Sequence, residues 1–385
     1  MRTIIRNAKI VTSTQILENC ILAFENGKIE YIGAEEIQGD NVIDGQGNYL
    51  IPGFVDLHCH GCMGMAFMGA TENEFSKIAD FHLSHGTTTM LATTSTSSME
   101  ETENTLKTFS EYTQKQPNSI LKGMHMEGPW LNAAQCGAQA VRFMRTPNGE
   151  ELETLKRKYP FILRVGAAPE LEGGMEFGRK SAELGLVTSV AHSDAVFSDI
   201  ERALQNGYVL MTHLYSGMKG MERKNAYRIA GAIEAGLYFD DLFVEIIADG
   251  KHLPPELLRF IYKCKGADRV CLITDATRAC GLPNGTTTIG ISSADNNPII
   301  VEDDVAKLLD RQSFAGSTAT TDRLYRTMAK AIGKDMVALS KMASLTPARL
   351  MGWKDVGELA VGKQADMLLI DENLEIKKVI TNKEN

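Results

Sequence analysis

Val55-Asp56-Leu57-His58-Cys59-His60-Gly61 follows a Pro52-Gly53 turn signal and reads as a short apolar strand ending in two histidines. Side chains two apart on a strand share a face, so His58 and His60 point together and Cys59 points opposite. Two imidazoles aimed the same way from a strand end supply half of a divalent-metal site. A lone His-x-His can equally be a hydrogen-bonded pair, and the residues downstream decide between the two readings.

Downstream, apolar runs alternate with helix-period segments. Candidate strands are 53–58, 87–92, 121–127, 162–167, 186–192, 209–213, 243–247 and 270–275. Amphipathic stretches lie between them at 73–85, 98–115, 149–158, 175–184, 196–206, 229–236 and 254–265, with a final helix expected over 317–332, capped by Ser317 or Thr318. Eight strands alternating with eight helices is the count of a (β/α)8 barrel. A doubly wound sheet competes, but no glycine-rich nucleotide fingerprint follows the first strand. Residues 286–312 look like an inserted hairpin region.

A barrel carries its active site at the C-terminal ends of its strands. The first strand ends in His58 and His60, the third in His125 and Glu127, the fifth in His192, the sixth in His213 and the eighth in Asp275. Asp249 and His252 follow the seventh. Five of the eight histidines at strand ends, with two carboxylates there, indicate a metal site. His125 reads as a support for a ligand. His82 and His85 read as helix-end or surface residues.

Residues 3–50 instead read as short strands and turns, with Asn26-Gly27 as a hairpin signal. They are too few to hold a good core alone. Strand-like runs return at 366–371 and 379–380, so both ends are expected to build one small β-domain. The expected organisation is 1–51 and 341–385 in that domain and 52–340 in the barrel.

The 385 residues carry a net charge of −9, which argues against nucleic-acid or anionic-membrane partners. The N-terminus lacks a signal-peptide run and no stretch could span a bilayer. Seven scattered cysteines read as reduced thiols in a cytoplasmic protein. Cys59 and Cys62 form one C-x-x-C with no second pair, too little for a thiolate zinc site.

Imidazole and carboxylate ligands without thiolates suit zinc, with iron, manganese or cobalt as alternatives. A zinc-bound water reaches a pKa of roughly 7 and attacks carbonyl carbons. Amide cleavage also needs a proton delivered to the leaving nitrogen, and Asp275 is placed to shuttle it.

The motifs resemble the amidohydrolase superfamily, and within it the N-acetylglucosamine-6-phosphate deacetylases. The resemblance runs along essentially the whole chain. It is carried by Pro52-Gly-Phe-Val-Asp-Leu-His-Cys-His-Gly, His125-Met-Glu-Gly-Pro-Trp-Leu-Asn, Ala191-His-Ser-Asp-Ala, Thr212-His-Leu-Tyr, Ile247-Ala-Asp-Gly-Lys-His, Thr274-Asp-Ala-Thr, Phe314-Ala-Gly-Ser and Ala343-Ser-Leu-Thr-Pro-Ala-Arg. It implies a distorted barrel with a small β-sandwich from both termini, usually as a homodimer. It implies Glu127, His192 and His213 as primary metal ligands and Asp275 as acid/base. His58 and His60 match a pair that holds a second ion in some members, giving one or two ions per subunit. His252 resembles a contact to the sugar phosphate, and Phe314, Ala315 and Gly316 a loop closing over the substrate.

The substrate side departs from the family pattern. Members usually read Lys-Gly-Ala-His where this chain has Cys136-Gly137-Ala138-Gln139, and Asn-Ala where it has Ser216-Gly217. A phosphate-gripping arginine, often working across the dimer, is replaced by the Glu222-Arg223-Lys224-Asn225 region, with Arg228 close by. The activity implied is hydrolysis of the acetamide of an N-acetylamino-sugar 6-phosphate, most closely N-acetylglucosamine 6-phosphate. A related substrate such as N-acetylgalactosamine 6-phosphate, or another amide, is the alternative. Gln139→His with Ser216→Asn and Gly217→Ala is expected to raise activity on the glucosamine compound. A dihydroorotase-like carboxylated lysine has no counterpart, since no lysine ends the third or fourth candidate strand. A catalytically dead barrel would be expected to lose ligands, and here all remain.

Overall fold

The computed structural model describes residues 1–289 and 298–383. Eight parallel strands run in sequential order around a barrel: Phe54–Cys59, Thr87–Thr94, Leu121–Glu127, Ile162–Ala167, Val187–Val190, Tyr208–Met211, Phe243–Ile246 and Val270–Leu272. Helices cover their outer face, so both sides of each strand are buried, which explains the nearly continuous apolar runs. All six residues of the first strand and all eight of the second are buried.

The barrel is distorted. Its later strands shorten to three or four residues, and the eighth does not pair with the first along its length. Their extensions close the seam instead: Asp275 N–H donates to His58 O at 2.8 Å and His60 N–H to Ala276 O at 2.7 Å. Thr274 Oγ1 donates to the buried Asp56 Oδ2 at 2.5 Å. The same seam explains why the final helix starts later than the sequence suggested. Ser317 N–H donates to Asp275 O at 2.7 Å and its hydroxyl to Thr274 O at 2.5 Å, so the helix begins at Thr321, with Thr320 as its N-cap.

The small β-domain joins both ends of the chain. Its seven-stranded mixed sheet runs Ile376–Ile380, Met367–Ile370, Tyr49–Pro52, Thr3–Val11, Ile16–Glu25 and Lys28–Gly33, with Asn41–Asp44 also paired to Thr3–Val11. Asn26 and Gly27 turn the hairpin with φ of +50° and +72°, the left-handed pair a two-residue turn needs. Residues 336–350 are helical and pack beneath the barrel: Thr346 Oγ1 donates to Ala267 O at 2.7 Å, and Ala348 joins the Val55, Leu57, Leu91, Ile247 and Ile273 cluster. Thr287–Ile289, Pro298–Glu302 and Val305–Leu308 form an antiparallel meander leading back to the barrel mouth. Residues 290–297 of the expected insertion lie outside the described residues.

Candidate active site

Glu127, the last residue of the third strand, stands at the centre of the barrel mouth. Its Oε1 meets His213 Nε2 at 2.9 Å and His192 Nε2 at 3.2 Å. Its Oε2 meets His60 Nε2 at 3.0 Å and His58 Nε2 at 3.5 Å. Asp275 Oδ1 faces the same two histidines, at 3.4 Å from His60 and 3.5 Å from His58. Four imidazoles thus turn Nε2 toward two buried carboxylates.

The backbone is bent to achieve this. His192, His213 and Asp275 adopt φ of +42°, +29° and +46° just past their strands. Non-glycine residues rarely take that region, and it tends to persist where the surrounding structure over-determines it, often at functional sites. Here it ends each strand while turning the side chain into the mouth.

Burial disfavours charge on Glu127, yet His58, His192 and His213 hold its carboxyl well below the usual carboxylate range. Burial opposes the same charge on Asp275, and His58 and His60 hold that carboxyl down. Burial likewise works against a proton on His58, but Glu127 and Asp275 raise it to about 10. Protons on imidazole thereby balance two carboxylates that make no ion pair with Lys or Arg among the described residues. A divalent cation fits the same demand. Donor atoms of His58, Glu127 and His213, and of His58, His60 and Asp275, cluster within 4.8 Å of one another, the thiolate-free set that suits zinc and its neighbours.

A cavity of about 320 Å³ opens above these residues. Ala138, Gln139, Ser216, Gly217, His252, Phe314 and Gly316 line it alongside His60, Glu127, His192, His213 and Asp275. His252 Nδ1 lies 2.8 Å from Asp249 Oδ2, and its ring packs on Phe314 at 4.5 Å. Three expected substrate contacts are placed elsewhere. Ala315 is buried with Ala279, Ile299, Val301 and Ala306 under the meander, its N–H spent on Ala306 O. Arg223 and Arg228 face each other on an exposed hairpin, Glu222–Lys224 with Tyr227–Ile229, and neither lines the cavity. The expected gain from an alanine at 217 also meets an obstacle. Gly217 has φ of +58°, and an added Cβ would lie 2.7 Å from His192 Nδ1.

His125 sits edge-on behind His58, ring centroids 4.7 Å apart, and touches Thr93 Oγ1 at 3.5 Å. His82 lies in the last turn of the helix Glu72–Ser84, as expected, but is fully buried there, with Nε2 3.2 Å from Cys59 Sγ. The sequence reading missed Tyr215, Gln312 and Ser313 on the cavity wall, and the buried Arg164 and Glu245 below it. Only the last two carried a signal, a charged residue inside an otherwise apolar barrel strand.

The amidohydrolase family model matches residues 49–384. The chain is 30% identical over 383 residues to an N-acetylglucosamine-6-phosphate deacetylase of Lysinibacillus sphaericus, covering 98% of this chain and 96% of that one. It is 28% identical over 382 residues to an N-acetylgalactosamine-6-phosphate deacetylase of Escherichia coli O157:H7, covering 98% of each. The N-acetylglucosamine-6-phosphate deacetylase from Pasteurella multocida superposes with a TM-score of 0.91 at 26% identity, covering 100% of this chain and 99% of that one. Four histidines and two carboxylates gathered at the barrel mouth and likeness along the full length lead to one conclusion: the chain belongs to the amidohydrolase family and, within it, to the N-acetylglucosamine-6-phosphate deacetylases.

Proposed function

We propose that the protein hydrolyses the acetamide of N-acetylglucosamine 6-phosphate to acetate and the amino-sugar phosphate. The observation that carries this reading is the division of Glu127, with Oε1 between His192 and His213 and Oε2 beside His58 and His60, opposite Asp275. These residues would hold one or two divalent ions, zinc first among the candidates. An ion bound there supplies Lewis-acid activation of water and of the acyl oxygen. Asp275 Oδ1, on the cavity floor, takes the proton of the attacking water and returns it to the departing amine nitrogen. Without that proton the amine cannot leave, because an amide anion is a very poor leaving group. His252, oriented by Asp249, and Phe314 flank the far side of the cavity, where the sugar phosphate would lie.

The phosphate needs cations, and among the described residues the cavity lining contains no Lys or Arg. Arg223 and Arg228 pair across the exposed hairpin, with no carboxylate partner among the described residues and with the neighbouring Tyr227 77% exposed. In our reading a second copy of the chain receives this hairpin, and its arginines serve the partner's cavity in a homodimer. Seven unpaired thiols suit a cytoplasmic enzyme, and no helix among the described residues is long and apolar enough to cross a membrane.

Acetate release from N-acetylglucosamine 6-phosphate and from N-acetylgalactosamine 6-phosphate tests the reaction, with bound metal counted in the same sample. The glucosamine compound should give the higher kcat/KM. No release from either by metal-loaded protein rules the proposal out. Arg223→Ala and Arg228→Ala should raise KM for the phosphorylated sugar far more than for the unphosphorylated one, and equal effects would remove both residues from phosphate binding.

A further inference from the structure

The imidazoles around Glu127 aim Nε2 inward, so each ring's Nδ1 faces outward and needs an acceptor of its own. His192 Nδ1 has Gln135 O at 2.7 Å, and His213 Nδ1 has Ser216 O at 3.1 Å. Both acceptors are neutral backbone carbonyls. His58 Nδ1 and His60 Nδ1 have no hydrogen-bond partner among the described residues, but His58 Nδ1 alone of the two faces a carboxylate, Glu245 Oε2 at 3.6 Å.

Glu245 lies on the seventh strand and is fully buried, as is Arg164 on the fourth. Barrel interiors are ordinarily filled by branched apolar side chains. Here Arg164 Nη1 donates to Glu245 Oε1 and to Leu57 O, the latter at 3.0 Å, while Nη2 donates to Glu245 Oε2 at 2.8 Å. Nη2 also reaches Thr212 Oγ1 at 3.2 Å and Ser189 Oγ at 3.4 Å. The guanidinium is therefore tied to the peptide preceding His58 as well as to the carboxylate behind it. Buried ion pairs of this kind gain little stability over apolar residues of similar volume. What the pair does is hold one carboxylate oxygen rigidly behind His58.

We propose that Glu245, held in place by Arg164, is the positioning residue for His58. It accepts the Nδ1 proton, which fixes the tautomer with the Nε2 lone pair toward the cavity. A small tilt of the ring brings the 3.6 Å separation into hydrogen-bond range. A charged acceptor makes Nε2 a stronger donor to a divalent ion than a backbone carbonyl does. The His58 side of the site is thus given an electronic advantage that His192 and His213 lack. This inference rests on the reading that the mouth holds a divalent ion, and it is independent of the sugar.

Chelator-stripped protein titrated with Zn2+ in competition with a chromophoric chelator tests it. Arg164→Met/Glu245→Leu removes acceptor and guanidinium together and leaves no unpaired charge. It should weaken Zn2+ binding about 10- to 100-fold, yet change it less than about twofold when His58→Asn is already present. Equal weakening in both backgrounds would make the pair merely structural, and no weakening in either would remove it from the metal site. Both results overturn the proposal. Should the apolar pair not fold, Glu245→Gln in the same two backgrounds decides, with the same pattern expected at smaller size. Wild-type protein that shows this coupling but releases no acetate would sink the deacetylase reading and leave the inference standing.

Discussion

Gln139 Nε2 donates to Glu127 Oε2 at 2.6 Å, and its Oε1 accepts the Thr96 backbone N–H at 2.8 Å. The side chain that departs from the family pattern is therefore a strut, tying the central carboxylate to the loop after the second strand. Gln139→Leu should leave the Thr96 N–H without an acceptor, a cost of about 1–3 kcal/mol for a buried donor. It should also loosen Glu127, so both Tm and kcat/KM fall. Gln139→His keeps a donor and offers a charged one, which stabilises developing negative charge more strongly. Its expected outcome is a severalfold rise in kcat/KM on N-acetylglucosamine 6-phosphate. A fall would mean that the amide strut suits this site better than an imidazole.

Asp275→Asn preserves the shape of the side chain but removes its ability to take a proton. Turnover should drop by roughly 10²–10⁴-fold, the usual contribution of a general acid–base group. KM should change little. Single-turnover acetate release beside metal analysis separates the effects, and near-normal turnover with intact metal content would exclude Asp275 from proton transfer.

Gly217→Ala places a methyl group 2.7 Å from His192 Nδ1 in a backbone with φ of +58°. The strain should cost about 1–3 kcal/mol, and the ring must move away from Gln135 O. Weaker Zn2+ binding and lower kcat are expected, measured on the same preparation. Unchanged Zn2+ affinity would show that the loop yields instead of the histidine.

His82, packed behind the strand that carries His58 and His60, supplies a pH test. Burial pushes its pKa down from 6.5 to about 4, against a smaller opposing effect of Gly61 O. Its folded-state pKa lies below the unfolded one, so on acidification the unfolded chain takes up the proton first. The resulting loss of stability begins as pH falls through 6.5 and is complete near 4. At pH 5 this amounts to about 2 kcal/mol. Denaturant unfolding at pH 7.5 and pH 5 should show a smaller acid loss in His82→Phe than in the wild type. Equal losses would mean that His82 can be protonated without leaving the core.

Much of this was legible along the chain. Strand periodicity located all eight barrel strands to within a few residues, because burial on both faces leaves a continuous apolar run in each. Where it went astray, a tertiary contact had claimed the residue. Ser317 looked like a helix cap and is instead bonded to Asp275 and Thr274 across the barrel seam. Ala315 looked like a substrate contact and is packed under the meander.

The sequence by itself determined the barrel, the terminal β-domain and the convergence of histidines and carboxylates at one mouth, because a strand's period and its end position are local properties. Only the tertiary structure decided which atoms meet. Arg164 finds Glu245 across 81 residues of chain, Asp56 finds Thr274 across 218, and Gln139 turns back to Glu127 through an irregular loop. Periodicity says which face of a strand is buried but carries no record of the neighbour across the barrel. Nor does it say where a loop freed from the strand will return. Those pairings come from the closure of the barrel, which brings distant strands within a hydrogen bond of one another.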